Sequence, residues 1–212
     1  MTAELSVRAR FERFPATLKG AFILRGEDPD PHQLVLGPAR IVRVTGGEGR
    51  PIAIAESTLD IAPKQDVFVP FETNVGELEP GWYDLECEVE VDGVRRTYPG
   101  GKRFSVAWPR ASTRRGSVKV GKDVKAGVVL VRLQQLDCAA DHATVAFTTT
   151  PPTAVELALS ADGADLPVFD VAWDTETGAG TGTAYPIPKT ATATRIEVST
   201  GGASAGVDVA LP

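Results

Sequence analysis

A two-residue alternation of apolar and polar side chains is the feature that most restricts how this chain can fold. The clearest segment places five apolar side chains at alternate positions, namely Tyr83, Leu85, Cys87, Val89 and Val91. Acidic residues occupy the positions between them. Successive side chains of a β-strand point to opposite faces, whereas a helix would scatter these apolar positions around its circumference. The segment is therefore predicted to be a strand with one buried face and one solvent-facing face.

The same alternation recurs along the chain, with turn residues between the segments. Asp92-Gly93 predicts a two-residue hairpin turn, because glycine accepts a positive φ there. None of the segments offers three turns of helical period. Strands are therefore predicted at 5–11, 18–24, 32–36, 40–45, 51–55, 66–71, 83–91, 94–98, 104–108, 118–120, 128–133, 143–147, 155–159, 166–173, 181–187, 196–198 and 207–211.

One segment interrupts this pattern near the middle of the chain. Residues 109–117 carry no apolar periodicity and are rich in arginine, so they are predicted to form a linker. The strand spacing on either side, roughly 8–12 residues, is typical of β-sandwiches. The chain is therefore predicted to be all-β, with an N-terminal antiparallel β-sandwich over 1–108 and a C-terminal one over 118–212.

A short motif before the clearest strand resembles a known family. Leu78-Glu79-Pro80-Gly81-Trp82-Tyr83 is similar to the corner before the sixth strand of immunoglobulin-like and fibronectin type III-like sandwiches. The resemblance implies that the Tyr83 hydroxyl bonds back to the upstream backbone. The chain departs from antibody domains, since Cys87 lies four residues after Tyr83 rather than two and has no upstream cysteine partner. The resemblance implies two tandem immunoglobulin-like domains and no particular activity.

Composition limits the compartment and the class. A chain that is 42% hydrophobic is not expected to be disordered, and without an apolar run of 18 residues no membrane span is predicted. Cys87 and Cys138 are expected to be buried free thiols in different halves of the chain, as in a reducing compartment. The first residues lack a secretory pattern, which favours the cytoplasm, although a mature secreted protein can begin the same way.

Charge is distributed in three blocks. Residues 1–94 hold nine basic and 17 acidic side chains, and residues 126–212 hold three and ten. Between them, residues 95–125 hold ten basic side chains against Asp123 alone. This basic band predicts either an acidic protein partner or pairing with the chain's own acidic strand at 84–90. Nucleic acid is disfavoured, because the rest of the chain is acidic and lacks an aromatic run like that of an RNA-binding sheet.

Two strings look like catalytic motifs but lack the required context. Residues 116–123 resemble a phosphate-binding loop, yet Asp123 replaces the magnesium-binding hydroxyl and a strand-like sequence follows, so a turn between strands is predicted. Residues 202–206 match the string of a nucleophile elbow, yet no histidine follows and a turn is predicted instead.

Three acidic or histidine-containing segments carry residue types found in metal or catalytic sites. Asp28, Asp30 and His32 could offer three ligands, but their spacing fits no calcium or zinc loop. Residues 137–142, which include His142, predict a turn, and 174–182, which include Asp174 and Glu176, predict a long hairpin loop. No catalytic residue, cofactor or metal is therefore predicted.

These observations favour a non-enzymatic interaction or structural subunit that binds a protein partner or assembles with its own copies. Trp82 is expected to point away from the core and Trp108 to end the last strand of the first sandwich; exposed tryptophan is a frequent interface anchor. Packing of both in the joint between the domains is the other interpretation. The predicted contact residues are Trp82, Arg95, Arg96, Arg103, Trp108, Arg114 and Arg115.

Two alternatives remain open at this point. A carbohydrate-binding or enzyme-accessory module would present a planar row of exposed aromatic side chains. An enzyme with its site at the domain junction would hold carboxylates of perturbed pKa in a deep pocket.

Overall fold

The computed structural model describes residues 5–14, 16–27, 29–54 and 58–211. Within these residues all regular secondary structure beyond turns and isolated bridges is β-strand, in agreement with the all-β prediction. The chain divides into two compact units, Met1–Val106 and Ala107–Pro212, called the first and second domains below. Among the described residues there is no helix with the length and apolarity that a membrane span requires.

The first domain packs two antiparallel sheets against each other. One sheet has the order β1-β2-β6, and the other has the order β4-β3-β7-β8, with β5 also on β3 and β9 also on β7. The fully buried side chains between the sheets include Phe22, Leu34 and Leu85. The strands are β1 (Leu5–Arg13), β2 (Thr17–Gly26), β3 (His32–Arg43), β4 (Arg50–Ile52), β5 (Thr58–Ile61), β6 (Asp66–Asn74), β7 (Gly81–Val91), β8 (Val94–Pro99) and β9 (Phe104–Val106).

Strand β3 corrects one sequence prediction. The sequence predicts two separate strands at 32–36 and 40–45, with Gly37-Pro38 lying between them. In the structure they form one strand, and its register against β7 shifts between Leu36 and Ala39. A β-bulge leaves a residue outside the ladder, so proline's missing N–H costs no strand pairing there.

Strand β6 forms an outer edge of its sheet, and Pro70 lies at its centre, opposite Ala21 of β2. Proline cannot donate to a neighbouring strand, so it is tolerated here because its nitrogen faces away from β2.

The second domain is also a pair of antiparallel sheets. Their orders are β10-β11-β12-β16-β15 and β14-β13-β17-β18. The core includes the fully buried Leu136, Phe147 and Ile196. The strands are β10 (Gly116–Ala126), β11 (Val129–Cys138), β12 (Ala143–Thr150), β13 (Glu156–Ala161), β14 (Ala164–Leu166), β15 (Val168–Trp173), β16 (Ala179–Ala184), β17 (Ala193–Thr200) and β18 (Ala203–Ala210).

The segment predicted as a linker, 109–117, is partly built into the second domain. Thr113 forms an antiparallel bridge with Pro188, and the Arg114 N–H donates to the Ile187 carbonyl at 2.8 Å. Strand β10 then begins at Gly116. Apolar periodicity could not predict this pairing, because the side chains of the segment are polar and backbone hydrogen bonds require no apolar alternation.

The loop predicted over the glycine- and threonine-rich segment 174–182 is shorter in the structure. The loop ends at Gly178, and β16 carries Gly180 and Gly182 on its core-facing side. A Cβ at Gly180 would lie 2.4 Å from the Phe147 ring, and one at Gly182 would lie 2.2 Å from Leu157 Cδ1. The glycines therefore make room for neighbouring core side chains.

Candidate functional site

The predicted contact residues of the first domain lie mostly on the outward face of β7 and its neighbours. Trp82 is half-buried and shares this face with the acidic side chains. The Arg103 Nε–H donates to the Asp84 carboxylate at 3.1 Å, and Arg95 Nη2 lies 3.4 Å from Glu90 Oε2. Arg95 and Arg103 therefore pair with the acidic strand, as the self-complementary interpretation of the band predicted.

These residues do not form one patch. Arg95 lies opposite Glu90 and Arg96 lies opposite Val89, so their side chains point to opposite faces of the sheet. Trp82 precedes Glu90 by eight residues on β7, a span of about 26 Å at 3.3 Å per residue.

Arg40 completes the charge pairing on this face and was not singled out from the sequence. Its Nη2 lies 2.8 Å from Glu88 Oε1, and its Nε lies 3.6 Å from Glu86 Oε2. Only the β3–β7 register brings this arginine, 46 or more positions away in sequence, over the two carboxylates.

The remaining predicted contact residues belong to the second domain. Trp108 is half-buried and meets the Tyr185 ring edge-on, with centroids 5.5 Å apart. Arg114 Nη2 donates to the carbonyls of Ala191 at 2.6 Å and Lys189 at 3.2 Å, so much of its hydrogen-bonding capacity serves the fold. Arg115 is exposed.

In the segments considered for catalysis or metal binding, each histidine lies beside an aspartate. His32 Nδ1 lies 2.6 Å from Asp92 Oδ2, while Asp28 lies outside the described residues. His142 lies in the turn between β11 and β12, with Asp141 Oδ1 2.9 Å from its Nδ1. No three His, Cys, Asp or Glu side chains of the described residues are grouped so that they could hold a metal ion.

Asp174 organises the loop before β16. Its carboxylate accepts N–H groups from Thr177 at 2.8 Å and Glu176 at 2.9 Å. These backbone hydrogen bonds, led by that of Thr177, lower the pKa of the Asp174 carboxyl.

Neither catalytic string has the local structure that its chemistry needs. Residues 116–123 lie within β10, where the register shifts between Lys119 and Lys122 and Gly121 has φ +59°, so they form a bulged strand rather than the predicted turn between strands. Residues 201–202 form the turn before β18, and 203–206 belong to that strand.

A second candidate surface, separate from the predicted contact residues, lies on the outward face of the β1-β2-β6 sheet. The strand register sets Arg8, Ile23 and Phe68 side by side across the three strands. Phe68 is 61% exposed and Ile23 is half-buried. Beside them lies a hollow of about 450 Å³, lined also by Arg10 and by the 100–102 segment. We call Arg8, Arg10, Ile23, Phe68 and Lys102 the Arg–Phe face.

The charges of the Arg–Phe face are largely uncompensated. Arg25, at its border, lies 3.8 Å from Asp66 Oδ1. Among the described residues, Arg8 and Arg10 make no ion pair with a carboxylate. Lys102 Nζ lies 4.7 Å from the Phe11 ring centroid, a cation–π contact that leaves its charge in place. The face thus combines an exposed aromatic ring with excess positive charge.

The sequence alone gave little indication of the Arg–Phe face. Arg8, Ile23 and Phe68 each occupy an outward position of an ordinary alternating strand, which is the usual place for a solvated residue. What makes them a surface is the pairing of three strands spread over 60 residues. Ile23 and Phe68 at outward positions were the clues available, because large apolar side chains normally occupy the inward positions.

Strand order defines the class of both domains, and one hydrogen bond supports it in the first. In the first, β1, β2 and β6 form one sheet and β3, β7 and β8 the other, as strands A, B, E and C, F, G do in immunoglobulin-like sandwiches. In the second, β11, β12, β16 and β15 match A, B, E and D, and β13, β17 and β18 match C, F and G, with β10 added at an edge. The Tyr83 hydroxyl donates to the Glu79 carbonyl at 2.9 Å, so the predicted tyrosine corner is confirmed. The chain consists of two immunoglobulin-like β-sandwich domains.

Comparisons with known proteins add no family name. No protein-family model matches the chain, and no curated protein matches it. A conserved domain protein from Bacillus anthracis is similar over 100% of this chain and 90% of its own, with 11% identity and a TM-score of 0.35. Two marsupial T cell receptor chains cover 99% and 98% of this chain and 62% and 95% of their own, with 11% and 14% identity and TM-scores of 0.28. TM-scores of this size carry no weight, and the fold class rests on the strand order and the tyrosine corner.

Proposed function

We propose that this protein is a non-enzymatic interaction subunit, which binds a protein partner or further copies of itself through the Arg–Phe face. The observation that supports the proposal is the exposed Phe68 ring beside Ile23, bordered by Arg8 and Arg10, which make no ion pair among the described residues. Aromatic residues and arginine are enriched in protein interfaces, and a few such side chains carry most of the binding free energy.

This face supports the proposal better than the basic band does. Arg95 and Arg103 of the band pair with Glu90 and Asp84, and Arg114 binds backbone carbonyls. On the Arg–Phe face, in contrast, the positive charge is available to a partner and lies next to apolar surface. An acidic surface with an apolar centre would complement it.

The buried free thiols Cys87 and Cys138 support placing this activity in a reducing compartment such as the cytoplasm. The alternative of a sugar-binding platform receives less support. Among the described aromatic side chains, only Phe14 and Phe68 are more than a third exposed, and Trp82, Trp108 and Trp173 are half-buried.

The test is recovery of the native complex with variants of the full chain. We expect Phe68→Ser to reduce recovery of the co-purifying partner, or of the homo-oligomer, by at least about tenfold, the loss typical of a hot-spot residue. Arg10→Glu should do the same. Val128→Ser is the matched control, because Val128 is 88% exposed at a hairpin tip of the second domain.

Recovery should be measured by mass spectrometry of the co-eluting material and by light scattering of the purified chain. Equal recovery with Phe68→Ser, Arg10→Glu and Val128→Ser would contradict the proposal.

A further inference from the structure

We infer that the start of the second domain holds a binding site for a tetrahedral oxyanion such as phosphate or sulfate, formed by Arg110, Arg115 and Lys189 around Thr113. The site is separate from the Arg–Phe face and does not depend on the function proposed for that face.

The backbone fixes the two segments that carry these side chains. Thr113 and Pro188 form an antiparallel bridge, and the Lys189 N–H donates to the Ser112 carbonyl at 2.9 Å. On the other side, both the N–H and the hydroxyl of Ser112 donate to the Pro109 carbonyl, at 2.9 and 2.7 Å. This turn and bridge hold the segments that carry Arg110, Arg115 and Lys189 in place.

These segments enclose a hollow of about 310 Å³ whose lining is unusually basic. It is lined by Arg110, Thr113, Arg114, Arg115 and Lys189, four cations and no carboxylate. Arg114 already donates hydrogen bonds to the carbonyls of Ala191 and Lys189. For the other three cationic side chains, the described residues offer no carboxylate within ion-pair distance.

Like charges gathered around one small hollow repel one another, and a bound anion offsets that repulsion. Guanidinium groups match the oxygen geometry of phosphate and sulfate, and their charge-assisted hydrogen bonds are about twice as strong as neutral ones. An oxyanion is thus the ligand that this lining would recognise.

Thr113 provides an independent observation. It is only 5% exposed, and its Oγ1 is buried with no hydrogen-bond partner among the described residues. A buried hydroxyl without a partner is energetically costly. Thr113 also lines the hollow, and an oxyanion bound there would give this hydroxyl an acceptor if the side chain turned toward it.

The surroundings favour a small anion over a long one. Outside the four cations that line the hollow, residues 107–212 hold five basic and eleven acidic side chains. A polyanion such as nucleic acid would meet that negative charge along its length, whereas a single phosphate or sulfate group needs only the hollow.

Isothermal titration of the full chain with inorganic phosphate, and separately with sulfate, tests the site. We expect saturable binding that falls by at least about tenfold in Arg110→Gln/Arg115→Gln, because two charge-assisted contacts are lost. Thr113→Val should weaken binding by a smaller factor. The control Arg95→Gln/Arg96→Gln removes the same charge from the first domain and should bind as the original chain does.

A titration with a phosphoserine peptide then identifies the source of the anion. Tighter binding than inorganic phosphate points to a phosphorylated partner, and equal or weaker binding points to the free ion; both outcomes support the site. No saturable binding of phosphate or sulfate at millimolar concentration, or an equal loss in the control, would overturn it. Phe68→Ser should leave phosphate binding unchanged, so this test and that of the proposed function fail separately.

Discussion

At the scale of single residues, the Tyr83 hydroxyl donates a hydrogen bond that holds a corner of the first domain. Replacing Tyr83 with Phe leaves the ring against Phe104 and removes the donor to the Glu79 carbonyl. We expect the free energy of unfolding to fall by about 1 kcal/mol, the usual net value of such a bond. Urea denaturation measures it.

Tyr98→Phe is the matched control for this substitution. Tyr98 is half-buried in the same domain, and its hydroxyl makes no hydrogen bond to the described residues. If both substitutions cost the same, the corner contributes no specific stability.

The Cys87 thiol makes a second residue-scale prediction. Burial, with a smaller effect of the negative Glu88, raises its pKa from 9.0 to about 11. The thiol should therefore stay protonated at pH 8 and react with a thiol reagent only after unfolding. Because the folded pKa is the higher one, its contribution to stability is complete below pH 9 and is lost as the pH rises toward about 11.

Urea denaturation between pH 8 and 11 should show a steeper decline for the original chain than for Cys87→Ala. Thiol labelling is best followed in Cys138→Ala, where Cys87 is the remaining cysteine. Rapid labelling of that native variant at pH 8 would contradict the raised pKa.

At the scale of elements, β16 shows a glycine used to make space. Gly180→Ala would place a Cβ 2.4 Å from Phe147 Cζ and 3.0 Å from the Ala172 carbonyl oxygen. Such overpacking typically costs about 1–3 kcal/mol. Thr181→Ala, one residue along on the exposed face, should change stability by less than about 0.5 kcal/mol. Thermal or urea denaturation of both variants checks this, and equal stabilities would show that Phe147 can move aside.

Elements were the level that the sequence predicted best. Alternation located β7 and the Asp92-Gly93 turn, where φ is +49° and +82°. Alternation wrongly predicted a break at Gly37-Pro38. A β-bulge keeps β3 continuous there, although glycine and proline usually end a strand. The same pattern also missed β5, whose four residues at a sheet edge are too few to show a period. Alternation could not predict the Arg–Phe face, because local residue spacing does not determine the register between strands that are distant in sequence.

At the scale of the whole molecule, each domain has its own core. The buried apolar residues of the first domain fall between Ala9 and Phe104, and those of the second between Val124 and Leu211. The fully buried Leu85 and Leu136 form a matched pair, one in each core. Replacing either with Ala should cost about 2–5 kcal/mol in the domain that carries it.

Hydrogen exchange of the full chain measures this domain by domain. We expect Leu85→Ala to reduce amide protection in the first domain and Leu136→Ala to reduce it in the second. Equal loss of protection in both domains from either substitution would show that the chain unfolds as a single unit.

The sequence also predicted the charge blocks, but not their use. Counting located the basic band. In the structure Arg95 and Arg103 pair with β7, Lys102 lies on the Arg–Phe face, and Arg110, Arg114 and Arg115 line the hollow near Thr113. Lys189 belongs to that hollow although it lies far from the band in sequence, which is why a segment count could not include it.

Pro70 has a consequence for solubility. The unpaired edge of a β-sheet can form hydrogen bonds with a strand of another chain, and repeated additions of this kind lead to fibrous aggregates. A ring nitrogen at the middle of β6 interrupts the row of donors that an incoming strand would need. Edge-to-edge pairing of two copies along β6 is therefore weakened at its centre, where one ladder hydrogen bond cannot form.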